Sequence, residues 1–321
     1  MRKILFAMAL AMALGCRAAG VEENVELVVN DSIRIRGTLL LPEGTASRAV
    51  PMVILVAGSG PTDRDGNNPQ MENNGLRMTA EGLAGQGIAT LRYDKRGIGA
   101  SKVAGLQEEQ LRFEDYVDDL KGWVARYADD PRFSSVVVLG HSEGSLVALA
   151  AAQDNPQVDG LVSAAGAGRR ADRLLKEQLG HQSPLLLTAA APMIDSLQAG
   201  HRLGREIPPQ WSSLFRPSVQ PYLISWFGYD PAQLIARVAC PVLVVQGDKD
   251  LQVSLADADS LCAARPSARR AVIRGMNHVL KQTDTLDRQA QFIKTYMDPT
   301  LPLHPEFVPL VAAFVRTVAR P

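Results

Sequence analysis

The stretch that most restricts the fold of this chain is residues 136–152, VVVLGHSEGSLVALAAA. Its first four residues are apolar and mostly β-branched, which is typical of a strand buried on both faces. The residues after Gly144 are rich in alanine and leucine, which favour a helix. A serine, Ser142, therefore stands between Gly140 and Gly144 at a sharp turn from a buried strand into a helix.

The same unit of an apolar strand followed by a helix recurs along the chain. Two antiparallel strands are predicted first, at 25–29 and 32–44, where apolar residues alternate or run together. Continuous apolar runs predict six further strands, at 51–61, 87–97, 134–140, 160–165, 240–247 and 269–275. Helices are predicted at about 72–85, 113–127, 145–153, 255–264, 286–296 and 305–318. This alternation predicts an α/β fold with a mostly parallel, eight-stranded sheet and helices on both faces.

One long segment interrupts the alternation. Residues 167–235, called the cap below, read as a helical insertion that holds two of the three tryptophans of the chain, Trp211 and Trp226. Apolar insertions of this kind commonly cover a cleft. The alternative is that the aromatic residues only pack the insertion onto the rest of the domain, since core packing is the usual role of such side chains.

The first twenty residues, MRKILFAMALAMALGCRAAG, have the layout of a secretory signal: a basic start, an apolar run and then small residues. The run is too short to span a membrane. The segment ALGC resembles a bacterial lipobox, which would make Cys16 the lipidated first residue of the mature protein. Cleavage after Gly20 without lipidation is the alternative. We therefore expect an exported protein, periplasmic, lipid-anchored or secreted, whose main domain is 21–321.

Charge and cysteine content exclude several classes of function. Lysine plus arginine and aspartate plus glutamate number 34 each, so no basic surface for nucleic acid is expected. The sequence has no Cys/His cluster with zinc spacing and no phosphate-binding GxxxxGK[ST] loop, so we expect neither a metal nor a cofactor. Cys240 and Cys262 are predicted to be two buried thiols, and a disulfide between them is the alternative.

Gly-x-Ser-x-Gly between a strand and a helix is the pattern of a nucleophile elbow, in which the serine hydroxyl projects above the sheet. A serine nucleophile needs a base and an acid, which follow it in the order Asp or Glu, then His. His278 follows the last predicted strand, and both Asp248 and Asp250 follow the strand before it. The residues alone leave the choice between the two aspartates open. All these groups would meet at the carboxyl edge of the sheet, where such folds bind their ligands.

An acyl-transfer site also needs two donors for the oxyanion that forms on the attacked carbonyl. The N–H of Glu143, at the start of the helix after Ser142, is one candidate. The other is expected from the loop Ala57-Gly58-Ser59-Gly60, and we favour the Ser59 N–H.

Five motifs together resemble the α/β-hydrolase superfamily, and more narrowly its exported bacterial esterases: AGSGPTDRDGN (57–67), YDKRGIGAS (93–101), GHSEG (140–144), QGDKDLQV (246–253) and GMNHVLK (275–281). The resemblance covers nearly all of the chain after residue 20. It implies that Asp250, which precedes Leu-Gln-Val, is the acid rather than Asp248. It also implies hydrolysis of a small-molecule ester with a short to medium acyl group. Related sequences are often labelled as peptidases, so a serine peptidase or amidase is the alternative, and a non-catalytic binding lipoprotein is a third hypothesis.

The remaining polar clusters are predicted to be structural. Asp63, Arg64 and Asp65 are expected to form a loop, or otherwise to line the substrate cleft. Asp94 and Arg96 are expected in an ion pair or turn. Four acidic residues with helical spacing are predicted on a solvated helix face: Glu114, Asp115, Asp118 and Asp119.

The other histidines are not expected to take part in catalysis. His141 precedes Ser142 directly, and side chains of neighbouring residues diverge on a sharp turn, so a structural role is predicted. His181, His201 and His304 fall outside the predicted site loops, and we expect them at the surface or in the cap.

Overall fold

A computed structural model of the chain describes residues 20–45, 47–103, 105–204 and 206–319. The predicted signal segment, except Gly20, and the predicted lipidation site Cys16 lie outside the described residues. None of the described helices combines the length and the apolar character that a membrane span requires.

Eight strands form one sheet with the order β1-β2-β4-β3-β5-β6-β7-β8. The strands are β1 (Val21–Val28), β2 (Arg34–Leu41), β3 (Val50–Val56), β4 (Ala89–Tyr93), β5 (Phe133–His141), β6 (Gly160–Ala164), β7 (Val242–Gly247) and β8 (Arg269–Ile273). The first two strands pair antiparallel to each other and β2 pairs antiparallel to β4, whereas all other neighbours are parallel. The predicted fold class, an α/β fold with a mostly parallel sheet, is confirmed.

The sheet separates two apolar cores, because alternate side chains of a strand point to opposite faces. In β3, Met52 and Ile54 enter one core while Val53 and Leu55 enter the other. Four helices cover the first core: α2 (Phe113–Ala128), α3 (Glu143–Ala152), α8 (Pro231–Arg237) and α9 (Leu255–Ala264). Two helices cover the second core: α1 (Gly75–Ala84) and α11 (Phe307–Val318). The helix α10 (Arg288–Gln291) continues into a π-helical turn over Phe292–Tyr296.

The cap is helical and has an apolar core of its own. Its helices are α4 (Ala171–Gln182), α5 (Pro184–Gln198), α6 (Ser212–Phe215) and α7 (Gln220–Phe227). Trp211, Phe215 and Phe227 are buried in this core together with Leu197. Tyr222 and Trp226 instead lie between the cap and the first core of the sheet. The aromatic residues thus divide between packing within the cap and contact with the rest of the domain.

Two of the minor predictions are wrong. Asp119 is not on a solvated face: it is 1% exposed and accepts a hydrogen bond from Arg96 Nη2 at 2.6 Å, because α2 packs this position against the loop after β4. His304 is not at the surface: it is 4% exposed, and its backbone N–H donates to Leu280 O at 2.8 Å. The chain before α11 crosses the loop after β8 at this point, and the crossing buries His304.

The two cysteines in the described part of the chain are free thiols. Cys240 and Cys262 are each half-buried, so the predicted thiols are present but less buried than expected. Burial raises the pKa of Cys240 to about 11. That thiol therefore stays protonated near neutral pH.

Candidate active site

The turn at residues 140–144, called the elbow below, has the geometry that its two glycines permit. Ser142 has a φ of 56° and lies between the end of β5 and the start of α3. A Cβ atom on Gly140 would lie 2.1 Å from Gly144 O, and one on Gly144 would lie 2.3 Å from Val56 O. No side chain fits at either position, because carbon atoms do not approach oxygen so closely. The elbow therefore holds Ser142 in a strained conformation at the carboxyl edge of the sheet.

Three loops at this edge bring Ser142, His278 and Asp250 together. Ser142 Oγ lies 3.1 Å from His278 Nε2, and His278 Nδ1 lies 2.8 Å from Asp250 Oδ2. His278 is 4% exposed and the Asp250 side chain is fully buried. The hydroxyl, the imidazole and the carboxylate form one hydrogen-bonded chain, which is the arrangement that activates a serine.

Asp250 is held by three further donors. Its Oδ1 accepts from the backbone N–H groups of Gln252 at 2.8 Å and Val253 at 2.9 Å, and its Oδ2 accepts from Gln246 Nε2 at 2.9 Å. Donors on both oxygens fix the orientation of the carboxylate. Asp248 has a different partner, since its Oδ1 accepts from the backbone N–H of Gly275 at 2.6 Å. Asp250, not Asp248, is therefore the aspartate that contacts His278.

Two backbone N–H groups lie close to the serine in the chain or in space, those of Ser59 and Glu143. Among the described residues, neither the Ser59 nor the Glu143 N–H has a hydrogen-bond acceptor. The loop that carries Ser59 approaches the elbow closely: a Cβ atom on Gly58 would lie 3.2 Å from Ser142 Cβ. Both N–H groups are thus free to donate to a ligand oxygen beside Ser142.

His141 supports the site from behind. Its Nε2 donates to the backbone carbonyl of His278 at 2.7 Å, and its ring centroid lies 5.0 Å from that of His278. Burial, and secondarily the neighbouring His278, lower the pKa of His141 to about 4. The ring is therefore neutral near pH 7 and acts as a fixed hydrogen-bond donor to the loop of His278.

Two cavities meet at Ser142 and Ser59. The first, called the histidine-side cavity, has a volume of about 180 Å³ and is lined by His278 with several polar residues: Thr62, Asn68, Asn73, Gln252 and Tyr296. The second, called the cap-side cavity, has a volume of about 80 Å³. Its wall combines the polar side chains of Arg169, Gln178 and Gln252 with apolar ones: Leu146, Leu174, Leu175, Trp226 and Val253. Ser142 thus lies between two cavities, each of which is lined by both polar and apolar side chains.

The acidic loop 63–65 and its partners form a structural network beside the first cavity. Arg64 pairs with Asp94 at 2.7 Å and Arg92 pairs with Asp65 at 2.7 Å. Asp63 Oδ1 accepts from the backbone N–H groups of Asp65 and Asn67, each at 2.9 Å. No group of three or more His, Cys, Asp or Glu side chains that could hold a metal ion occurs in the described part of the chain.

The sequence analysis did not single out three residues that border the site. Gln246 binds Asp250, and Gln252 borders both cavities and accepts at its carbonyl a hydrogen bond of 3.0 Å from Gln178 in the cap. Lys95, the third, is buried at the carboxyl end of β4. Their position at a strand end or in the loop after it is a signal that could have found them, because parallel strands bring such positions to one edge.

The fold and part of the sequence are similar to those of known hydrolases. Residues 74–222, slightly less than half of the chain, match the family model Hydrolase_4, described as serine aminopeptidase, S33. Esterase EstD of Thermotoga maritima is 29% identical over 278 residues, which cover 85% of this chain. The matched region spans 63% of the length of EstD.

Solved structures share the fold at low sequence identity. The structure of Est1E from Butyrivibrio proteoclasticus with ferulic acid bound has a TM-score of 0.58 and 17% identity, covering 91% of this chain and 96% of Est1E. Proline iminopeptidase from Mycobacterium smegmatis has a TM-score of 0.58 and 18% identity, covering 92% of this chain and 99% of that protein. The chain has the α/β-hydrolase fold.

Proposed function

We propose that this protein is a serine hydrolase that cleaves carboxylic esters with short to medium acyl groups. The observation that carries the proposal is the hydrogen-bonded chain from Ser142 through His278 to Asp250, opening onto two cavities. The similarity to an esterase over most of the chain supports ester hydrolysis. Est1E, which has the same fold, binds ferulic acid, and this supports a small-molecule carboxylic ester as the substrate class.

The proposed reaction begins when His278 Nε2 takes the proton of Ser142 Oγ as the oxygen attacks the ester carbonyl. Asp250, bonded to Nδ1–H, holds the imidazole in the tautomer that leaves Nε2 free to accept, and then stabilises the imidazolium. The carbonyl oxygen becomes an oxyanion and accepts hydrogen bonds from the Ser59 and Glu143 N–H groups. These donors are fixed by the main chain, so little reorganisation accompanies the development of charge.

The tetrahedral intermediate then collapses. The bond to the alcohol oxygen breaks, and His278 Nε2–H returns the proton to that oxygen. Water hydrolyses the remaining acyl-enzyme by the same steps, with His278 as base and then acid. Because the departing alcohol must lie next to His278, we assign the alcohol to the histidine-side cavity and the acyl chain to the cap-side cavity.

The cavity walls fit this assignment. The histidine-side cavity presents hydroxyl and amide groups, which suit an oxygen-bearing alcohol. The cap-side cavity is small and has leucine and tryptophan side chains in its wall, which suits a short acyl chain. Trp226 of the cap forms part of this wall, so the cap sets the length of chain that can be accommodated.

A serine peptidase or amidase is the second candidate, supported by the description of the matched family model. An aminopeptidase needs a negative group to bind the free amine of its substrate. The buried carboxylate that borders the cap-side cavity is Glu143, and Lys95 Nζ lies 3.5 Å from its Oε1. Since the Lys95 ammonium neutralises this carboxylate, the site favours an uncharged ester over an amine.

The experiment that tests the function is hydrolysis of p-nitrophenyl esters from acetyl to palmitoyl, alongside aminoacyl-p-nitroanilides, with Ser142→Ala as the blank. We expect turnover of the short and medium esters and no turnover of the anilides. Activity on the anilides alone would replace the proposal by a peptidase. A failure of a fluorophosphonate probe to label Ser142 would instead favour the third hypothesis, a non-catalytic binding protein.

We also propose that the protein is exported and anchored through lipidated Cys16, on the basis of the sequence of residues 1–20. The test is fractionation of a bacterial host that expresses the tagged full chain or its Cys16→Ser variant. We expect the full chain with the membranes and the variant in the periplasm or medium. Both proteins in the soluble exported fraction would indicate cleavage without lipidation, and both in the cytoplasm would contradict export.

A further inference from the structure

Lys95 is a buried ammonium that touches both sides of the proposed oxyanion site. It follows Asp94 in the loop after β4, and its side chain is 2% exposed. Its Nζ donates to the backbone carbonyl of Gly58 at 2.5 Å and lies 3.5 Å from Glu143 Oε1. The ammonium also lies 5.2 Å above the Tyr116 ring. Its contacts are thus the loop before Ser59, the residue after Ser142, and an aromatic face.

A contact of this kind is poorly explained by stability alone. Burial of an ammonium and a carboxylate removes both from water, and their attraction offsets that loss only when the hydrogen bonding is complete. Here the Glu143 carboxylate lies beside the Lys95 ammonium and the Tyr222 hydroxyl, but neither of its oxygens makes a hydrogen bond of good geometry in the described part of the chain. Burial lowers the pKa of Lys95, and the Glu143 carboxylate opposes this change. The pair is therefore better explained by its effect on the two neighbouring main-chain segments, at Gly58–Ser59 and at Glu143.

The geometry of the peptide group links Lys95 to the oxyanion. The carbonyl of Gly58 and the N–H of Ser59 belong to one planar trans peptide, so they point in opposite directions. A donor that fixes the carbonyl on one side therefore fixes the N–H on the other side. A positive charge at the carbonyl oxygen also polarises the amide and makes its N–H a stronger donor.

We propose that Lys95 is the positioning residue of the oxyanion site, orienting and polarising the Gly58–Ser59 peptide while its pairing with the Glu143 side chain holds the second donor in place. This inference rests on the proposed function, because it needs an oxyanion to be formed beside Ser142. Lys95 does not touch the reacting atoms itself. It acts through two main-chain N–H groups that lie close to the serine.

The test compares Lys95→Met with Lys281→Met as a matched control. Lys281 is also buried, and its Nζ donates to a main-chain carbonyl, that of Asp298, at 2.5 Å. For each protein we would measure kcat and KM on p-nitrophenyl butyrate, the melting temperature, and the inhibition constant of an alkyl trifluoromethyl ketone. The serine oxygen adds to this ketone and leaves an oxyanion in the site, whereas the ester in its ground state does not carry that charge.

For Lys95→Met we expect kcat to fall by about 10²-fold and KM to change by less than about threefold. The affinity for the trifluoromethyl ketone should fall by the same factor as kcat/KM. Lys281→Met should lower the melting temperature without a matching loss of affinity for the ketone. Lys95→Gln, which keeps a neutral donor at this position, should recover part of the activity.

Several results would overturn the inference. One is a Lys95→Met protein with wild-type kcat/KM, and another is a loss of kcat with unchanged affinity for the ketone. If Lys95→Met does not fold, Lys95→Gln decides, and wild-type activity in that variant rejects a role for the charge. Failure of the proposed function can be distinguished from failure of this inference, because the wild-type protein itself would then not hydrolyse the ester.

Discussion

The carboxyl edge of the sheet and the cap are held in place by different kinds of contact. At the edge, main-chain hydrogen bonds join the loops: Ser142 N–H donates to Ala164 O, and Lys249 N–H donates to Met276 O, each at 3.0 Å. Side chains such as those of Lys95 and His141 add bonds to main-chain carbonyls. The cap is attached by side chains, such as Arg169 of the cap, whose Nη2 lies 2.8 Å from Asp257 Oδ2. The Arg169 side chain is partly exposed, whereas side chains that join the edge, such as that of Lys95, are buried, so we expect the edge to keep its geometry when the cap is substituted.

On the proposed function, the edge carries out the reaction and the cap selects the ester that is cleaved. The nucleophile, base and acid of the proposed reaction all lie at strand ends of the edge. The cap contributes Leu174, Leu175 and Trp226 to the wall of the cap-side cavity. We therefore expect substitutions at the edge to reduce all activity, and substitutions in the cap to change which ester is cleaved.

The largest effect is expected for Ser142→Ala, which removes the nucleophile. On the proposed mechanism kcat should fall by about 10⁶-fold, because members of such a triad act as a unit. The melting temperature should stay close to that of the wild type, since the hydroxyl makes its one side-chain contact with His278. A kcat for ester hydrolysis within tenfold of the wild-type value would reject Ser142 as the nucleophile. The proposal that the edge carries out the reaction would then fail as well.

Asp250→Asn should give the next largest loss, about 10⁴-fold in kcat, because an amide favours the wrong tautomer of His278. Asp248→Asn is the matched control on the same loop. Asparagine Oδ1 can still accept from the Gly275 N–H, so this variant should keep most of the stability and most of the activity. Steady-state kinetics of the two variants decide, and a larger loss of kcat at Asp248 would reverse the assignment.

His141 should make the stability of the edge depend on pH. Its pKa changes from 6.5 to about 4 on folding, so between these values the unfolded chain binds a proton that the folded protein does not. The free energy of unfolding therefore falls as the pH falls through this window, by about 3 kcal/mol for this residue.

Urea unfolding of the wild type and of His141→Gln, measured between pH 7 and pH 4, checks this prediction. Glutamine can still donate to the His278 carbonyl but does not titrate in this range. The wild type should lose about 3 kcal/mol more than the variant between the two ends of the range. Equal losses would show that His141 is not responsible.

The smallest effect concerns the cap. Trp226→Ala enlarges the cap-side cavity, so the ratio of kcat/KM for a decanoyl ester to that for a butyryl ester should rise about tenfold. Trp211→Ala is the control, because Trp211 is buried in the cap core and does not line the cavity. The control should lower the melting temperature without changing the ratio. An unchanged ratio in Trp226→Ala would place the acyl chain elsewhere.

The sequence predicted those features that depend on neighbouring residues. Each of the eight strands was expected near its observed position, because apolar runs and flanking glycines are local signals. The elbow was recognisable for the same reason, since Gly140 and Gly144 fill positions that no side chain can occupy. The shared edge followed from the alternation of strands and helices, which makes the sheet parallel.

Where distant segments meet, the sequence was less informative. Asp119 and His304 were expected at the surface, and both are buried by contacts with segments far along the chain. Lys95 carries no local sign of its contact with Gly58, since 37 residues separate the two. The type of a side chain does not predict its contact partner when that partner is distant in the sequence and is brought close only by the fold of the sheet.

The chain by itself determined the α/β class, the serine at a strand-to-helix turn and the set of acids and bases that could meet it. Only the tertiary structure showed that Lys95 reaches the Gly58 carbonyl and that two cavities meet at Ser142, and it showed the contact of His278 with Asp250, which the residues alone had left open. The physical reason is the distance along the chain over which each effect acts. Backbone geometry and the spacing of apolar residues depend on a few neighbouring residues. Hydrogen bonds between loops and the shape of a cavity depend on the packing of the entire domain.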